Sequence, residues 1–433
     1  MRCLLAAVVA FSSLIVSAEA DTQPATQPTA SLPAFPGAEG FGMIATGGRG
    51  GEIVHVTTLD DAGPGSLREA VSQSNRVVVF DVAGIIRTKA QIAGQSNITL
   101  LGQTAPAGGI TVYGPGLSFS GQTNVIVRYL RLRGSINNSR GSKQLNVSGG
   151  SKMIFDHLSI SWGRWDNLGF TERCSDITLQ DSIVGEAIDP QRFGALIDSS
   201  DRITVTRTLW LNNQNRNPKG KANMQYVNNV VYNWGGGGYG GGHSGAVWKQ
   251  DLVNNVFVAG PSSKGAALGG FGKNDYVFSK GNLVDTDKNG ELNGTEPGPN
   301  DYRKMTDGAG DLQLIDAIQN TAPAQTVLPA AEAFARVLER SGSSLYRDSH
   351  DLRMLEQVRS LGKSGAIIND EQAVGGIGEL QTGEARKDSD HDGIPDVWET
   401  AHGLNAGDAS DAALIDPATG YMNIERYASD LVK

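Results

Sequence analysis

Twelve residues near the carboxyl end, Asp388-Ser389-Asp390-His391-Asp392-Gly393-Ile394-Pro395-Asp396-Val397-Trp398-Glu399, put acids at loop positions 1, 3, 5, 9 and 12 and glycine at 6. This is the spacing of an EF-hand calcium loop, in which alternate carboxylates turn inward and a final glutamate closes the shell with both oxygens. Asp388, Asp390, Asp392, Asp396 and Glu399 are therefore expected ligands, with the Ile394 carbonyl among them. The competing reading is a solvated acidic linker. A second stretch, Asp285 to Glu296, fits the same spacing with fewer charges and offers Asp285, Asp287, Asn289 and Glu296; it reads equally as a polar turn. Both loops would be structural, since extracellular calcium is abundant enough to fill sites of modest affinity. A third concentration of chemistry is cationic, with Lys219 and Lys221 close behind Arg216. By itself Arg216 reads as a salt-bridged turn residue. His243, inside the glycine-rich run Gly235 to Gly245, stands at no metal-ligand spacing and is expected to be an ordinary histidine on a mobile loop.

These groups must be held by elements, and the chain announces one kind repeatedly. Short β-branched runs recur at Asn97–Leu100, Asn124–Val127, Met153–Phe155, Ile177–Leu179, Ile203–Val205, Met224–Val227, Leu252–Val253 and Tyr276–Phe278, roughly 21 to 29 residues apart, a spacing typical of solenoids. Strands this short cannot bury a face alone, but coiling stacks each on the last and makes a continuous core. Asn228-Asn229, Asn254-Asn255 and Asn282 follow successive runs, where asparagine tolerates a left-handed bend and stacked amides can form a ladder. A β-sandwich with Asn-rich hairpins would not repeat so regularly. Helical periodicity appears only late, near Ala330–Arg340 and Asp351–Leu361, and predicts helices on the flank or end of the coil.

The amino terminus has one basic residue, Arg2, an apolar run from Leu4 to Val16, and the small-residue ending Ala18-Glu19-Ala20. It predicts a signal peptide and a secreted or periplasmic protein with no membrane span. Asp21 to Pro33 is Pro, Thr and Gln rich, as flexible tethers are. The expected organisation is thus a signal peptide (1–20), a linker (21–34), a β-helix domain with flanking helices (35–375) and a calcium-loop segment (376–433). A net charge of −9 argues against a nucleic-acid partner. Cys3 leaves with the signal peptide, so Cys174 stands alone as a buried thiol. A monomer is expected.

The motif Phe35-Pro36-Gly37-Ala38-Glu39-Gly40-Phe41-Gly42, followed by Gly47-Gly48-Arg49-Gly50-Gly51, Leu59-Asp60-Asp61 and Gly63-Pro64-Gly65-Ser66-Leu67-Arg68-Glu69-Ala70, resembles the start of bacterial pectate lyases of the first polysaccharide lyase family. Val79-Phe80-Asp81-Val82, Gly102-Gln103-Thr104-Ala105-Pro106, Phe155-Asp156-His157, Ser161-Trp162-Gly163, Arg216-Asn217-Pro218 and Asn228-Asn229-Val230-Val231-Tyr232-Asn233-Trp234 resemble it in the same order. The resemblance implies an all-β, right-handed, single-stranded parallel β-helix with a small C-terminal helical and calcium-loop extension. It also implies β-elimination on polygalacturonate. That reaction removes the C5 proton beside a carboxylate, so cations must await the growing enolate-like charge; calcium, arginine or lysine can supply them.

The resemblance puts the base at Arg216, of the Arg-x-Pro motif. Arginine is a poor base above pKa 12 unless positive charge and dryness surround it. Lys221 stands where the family has a second substrate-binding arginine and is a second candidate for proton abstraction. Lys219, Lys143 and Arg192 join it as expected substrate contacts. Asp156-His157 matches a largely structural pair in the strand bordering the cleft, with His157 a hydrogen-bonded core histidine. The cleft calcium site is where this chain departs. The family's aspartate ahead of that pair is missing from Gly141-Ser142-Lys143-Gln144-Leu145; Asp166 matches a second ligand, but its carboxylate partners read Asn167 and Phe170. Glu186 resembles a further acid that binds cation or substrate. Two acids alone imply weak or substrate-assisted calcium binding, because the ion wants six to eight oxygens. Lys143 as a fixed cation in place of the metal is one account of the loss. The expectation is a lyase for an acidic polysaccharide of the pectate or pectin type with Ca2+ as cofactor. Its alternatives are a lyase for another uronate, a glycoside hydrolase with two opposed carboxylates, and a non-catalytic binding protein.

Overall fold

Seven steps of parallel register tie the eight repeated runs into one ladder: Ile98 pairs with Val125, then Met153, Ile177, Ile203, Met224, Gln250 and Val277. The computed structural model describes residues 32–242, 244–305, 309–380 and 382–433. The signal peptide, most of the linker and His243 lie outside the described residues.

The repeat visible in the sequence marks only one of three faces of a parallel β-helix. A second face runs through Leu117–Ser118, Leu145–Ser148, Asp166–Thr171, Tyr239–Gly240, Leu268–Phe271 and Tyr302–Lys304. Phe193–Thr206 and Lys219–Val227 are long enough to turn the corner, joining first and second faces into one 18-stranded sheet. The third face is a nine-stranded sheet from Gly84–Arg87 to Leu283–Asp285. Most of its strands have three or four residues, too few to show a period of their own.

Inside the coil, Val125, Met153, Ile177, Ile203 and Met224 stack with Leu145, Leu168 and Ala195 of the second face and with Leu132, Ile160, Val184 and Trp210 of the third. Full burial of such side chains contributes about 1.5–3 kcal/mol each, which no isolated strand could collect. The expected asparagine ladder is present. Asn229 Nδ2 donates to Asn255 Oδ1 (3.1 Å) and Asn255 Nδ2 to Asn282 Oδ1 (2.8 Å), while Asn228 and Asn254 take positive φ of 57° and 49°. Cys174 is buried and free, as expected.

Two faces are covered. Residues 34–45 lie over the first, with Phe35, Ala38 and Met43 packed on Ile126 and Ile154. Gly42 approaches so closely that a Cβ there would sit 2.0 Å from the Met153 carbonyl oxygen, which explains a glycine at that point of the motif. Helices Ala330–Arg340 and Ser349–Arg359 cover the third face, packing Val337, Met354, Leu355 and Val358 on Leu209, Val230 and Val256. Within the glycine-rich run, whose other described residues are bends and coil, Tyr239–Gly240 forms a short strand that pairs with Leu268-Gly269 and buries Tyr239 in the core.

Candidate functional site

A groove of about 400 Å³ opens on the second face, lined by Phe193, Arg216, Lys219, Gly240, Gly269 and Arg303 among others. Register explains the gathering. Asp166 lies beside Phe193, Phe193 beside Asn215, Lys219 beside Gly240 and Gly240 beside Gly269, each one coil apart. Glycine at those rungs leaves the floor low between cationic side chains.

Arg216 occupies a corner at φ 62°, just before the strand Lys219–Val227. Its guanidinium lies 4.1 Å from the centre of the Phe193 ring and donates through Nη1 to Asp166 Oδ1 at 3.0 Å. Asp166 is almost wholly buried. Burial pushes its carboxyl above the usual range, while Arg216, Lys143 and Lys219 pull against that shift. Lys143 lies across Gly169, its Cε 3.0 Å from where a Cβ would stand. Lys219, half-buried between Arg216 and Lys221, is pushed down to about 8, by desolvation first and by those two cations next. Lys221 Nζ donates to Asp198 Oδ2 at 3.0 Å.

The two acids expected to hold a cleft calcium, Asp166 and Glu186, are not brought together. Asp166 is engaged by Arg216, and Glu186 is elsewhere. Fully buried at a turn beside the third face, Glu186 accepts from both Arg353 guanidinium nitrogens at 2.8 and 2.7 Å and from Asn212 at 3.0 Å, so it anchors the helix Ser349–Arg359 instead of facing the groove. Among the described residues the groove acids Asp166 and Asp198 are both paired with cations, Arg216 and Lys221. Arg192 lines a neighbouring hollow with Gln214 and Lys264, where it donates to Asn369. Asp156 and His157 do not border the groove. They line a separate cavity with Tyr129, Asp181 and Arg336. There Asp156 is buried and accepts from Arg128, His157 and Gln180 at 2.7–2.8 Å, and His157 stacks on Tyr129.

Seven-eighths or more of two curated relatives align with this chain. The "Probable pectate lyase C" of Emericella nidulans is 41% identical over 409 residues, 94% of this chain and 95% of the relative. That of Aspergillus fumigatus is 40% identical over 420 residues, 97% of each. The chain belongs to the pectate lyase family. These relatives are fungal, so they lend no support to the bacterial branch that the motifs resembled. No family model matches the chain. Among solved pectate lyases, a thermostable one superposes with a TM-score of 0.51 at 13% identity, covering 71% of this chain and 97% of its own. The Acidovorax avenae subsp citrulli structure gives 0.50 at 10%, covering 81% and 100%. At such identities the likeness is one of fold, and that fold is the parallel β-helix described above.

Two further groups of this pectate lyase family member escaped the sequence reading. Arg303 enters the groove because Tyr302 pairs with Leu268, which sets Arg303 beside Gly269; extending the repeat to the second face would have placed it. Asp411 joins the carboxyl-terminal acids, grouping with Asp392 and Glu399, while Asp388, Asp390 and Asp392 form an adjoining group. Asp396 does not take part. Its carboxylate accepts from Lys387 at 2.6 Å and from Ser389 at 2.7 and 2.9 Å, holding the loop from outside. Ile394 contributes a buried side chain to the apolar contact with the coil, and its amide donates to Asp392 at 2.8 Å. In the second loop, Asp285, Asp287, Asn289 and Glu296 accept from the amides of Asn293, Asn289, Glu291 and Gly281. Its side chains serve the turn, and no metal-holding group includes them among the described residues.

Proposed function

We propose that this protein is a secreted polysaccharide lyase that cleaves pectate or a closely related polyuronate by β-elimination, with Arg216 as the base. The observation that carries the reading is the cationic groove itself, in which Arg216 stands beside Lys219 and Arg303 over a glycine floor. Membership in the pectate lyase family supports the reaction class. Secretion is supported by the amino-terminal sequence, and among the described residues no helix is long and apolar enough to cross a membrane.

Chemically, the groove suits a polyanion. A uronate carboxylate entering beside Lys219 and Arg303 meets positive charge in a partly dry site, which stabilises the second negative charge that develops as the C5 proton leaves. Asp166 orients the Arg216 guanidinium and competes with the substrate carboxylate for it. The base is the neutral guanidine form of Arg216, its proton given up to solvent: with Asp166 displaced and the cations Lys219 and Arg303 alongside, its bare nitrogen accepts the C5 proton, and Phe193 supports the planar group from below. The C5–H electrons form the C4=C5 double bond as the C4–O bond breaks, the departing oxygen takes a proton from water, and a 4,5-unsaturated uronide is left. Lys143 and Lys221 extend the cationic surface along the chain path. Polygalacturonate incubated with the protein should yield ultraviolet-absorbing unsaturated ends, and Arg216→Ala should abolish them at a temperature where circular dichroism shows the variant folded. Reducing ends released without that absorbance would refute the reading.

A further inference from the structure

Six carboxylate oxygens are buried together near the carboxyl end with no hydrogen-bond donor: both of Asp390, both of Glu399, one of Asp392 and one of Asp411. Glu399 is 0% exposed, Asp392 3% and Asp411 7%. Neither they nor Asp388 enters an ion pair among the described residues; the nearby bases are engaged elsewhere, Lys387 with Asp396 and Arg426 with Asp416. Six acceptor oxygens converging with neither a donor nor an ion-paired base is an arrangement that water and protein do not stabilise alone, since an unpaired buried charge costs several kcal/mol.

We propose that Asp388, Asp390, Asp392, Glu399 and Asp411 hold one calcium ion, and that this ion clamps the carboxyl-terminal segment onto the first coils of the β-helix. The donors are all oxygen, which selects a hard cation, and six free oxygens match the lower end of calcium's coordination number. Asp388 is already oriented, its two oxygens accepting from the His391 and Gly393 amides at 2.8 and 2.9 Å, as a loop wrapped around an ion requires. The ligand set differs from the one spacing predicts. Asp411, twelve residues beyond the loop's end, enters, and Asp396 is left out.

The clamp follows from what surrounds the acids. Ile394, Ala412, Met422, Ile424, Tyr427 and Ala428 pack on Val77, Val79 and Leu101, the outer side of the opening strands. Arg49 of the amino-terminal cover pairs with Glu425 at 2.8 Å. Joining Asp411 to the 388–399 loop therefore closes the segment that lays this apolar patch on the coil. The groove around Arg216 plays no part, so the site stands or falls independently of the proposed reaction.

The test is calcium titration and thermal melting of chelator-stripped full-length protein. One calcium per chain should bind at this site and raise the melting temperature. Asp411→Asn and Glu399→Gln should weaken binding at least about tenfold and lose most of the shift, since affinity follows ligand charge. Asp396→Asn and the groove variant Asp166→Asn should keep the shift. Should Asp411→Asn fail to fold, the unaltered protein still decides the matter: trypsin should cut at Arg386 or Lys387 in chelator and be blocked by calcium, and not by magnesium at equal concentration. Absence of any calcium-dependent shift or protection overturns the proposal. So does loss of the shift in Asp396→Asn with retention in Asp411→Asn.

Discussion

Glu186→Gln separates a structural acid from a catalytic one. The side chain is fully buried and receives three charge-assisted or amide hydrogen bonds, two from Arg353 and one from Asn212. Removing one member of a buried pair costs about 3–5 kcal/mol because the other charge stays behind. Arg353 is 29% exposed and can recover water, and glutamine keeps the volume and one acceptor, which brings the expected loss to about 2–3 kcal/mol. The helix Ser349–Arg359 should loosen first, since Glu186 is its polar anchor on the third face. Urea unfolding and trypsin susceptibility of residues 330–360 read this directly. Lyase turnover measured at low temperature, where the variant is folded, should stay within about threefold of the parent, as a change away from the reacting groups leaves the transition state alone. An unchanged unfolding curve combined with a hundredfold loss of turnover would refute the reasoning and return Glu186 to the chemistry.

Other outcomes follow from the same structure. Asn255→Ala removes the middle of the amide ladder and strands donors and acceptors on Tyr226, Asn229 and Asn282; it should cost about 2–4 kcal/mol by denaturant titration. Lys219, pushed down to about 8, is charged in folded and unfolded chains below that pH, and between about 8 and the ordinary lysine value only the unfolded chain keeps the proton. Its contribution to stability therefore rises with pH through that window. Binding of oligogalacturonate should weaken over the same window as the groove loses a cation, and Lys219→Arg should remove the dependence in calorimetric titrations. Phe193→Ala takes away the ring beneath Arg216 and should lower turnover more than it raises KM, read by steady-state kinetics.

The coil was legible because its core repeats. Val125, Met153, Ile177 and Ile203 are spaced by one turn and flanked by residues that bend, so the first face could be read from the chain alone. So could the helix Ala330–Arg340, whose apolar stripe is local, and the loop that opens at Asp388. The third face was not legible: strands such as Ser159–Ser161 are shorter than any period they could display. The groove was half legible. Arg216, Lys219 and Lys221 are close in sequence, but Arg303 reaches them only through stacking.

What the amino-acid order determined alone is local: turn chemistry, apolar spacing, and which acids share a loop. What only the tertiary structure decided is partnership, because a charge is defined by its neighbours, and those come from other coils. Asp166 went to Arg216, Glu186 to Arg353, and Asp411 displaced Asp396 from the acid cluster, none of them adjacent in the chain. Spacing names the groups that can reach an ion or a substrate; the stacking of coils selects which of them arrive unpaired.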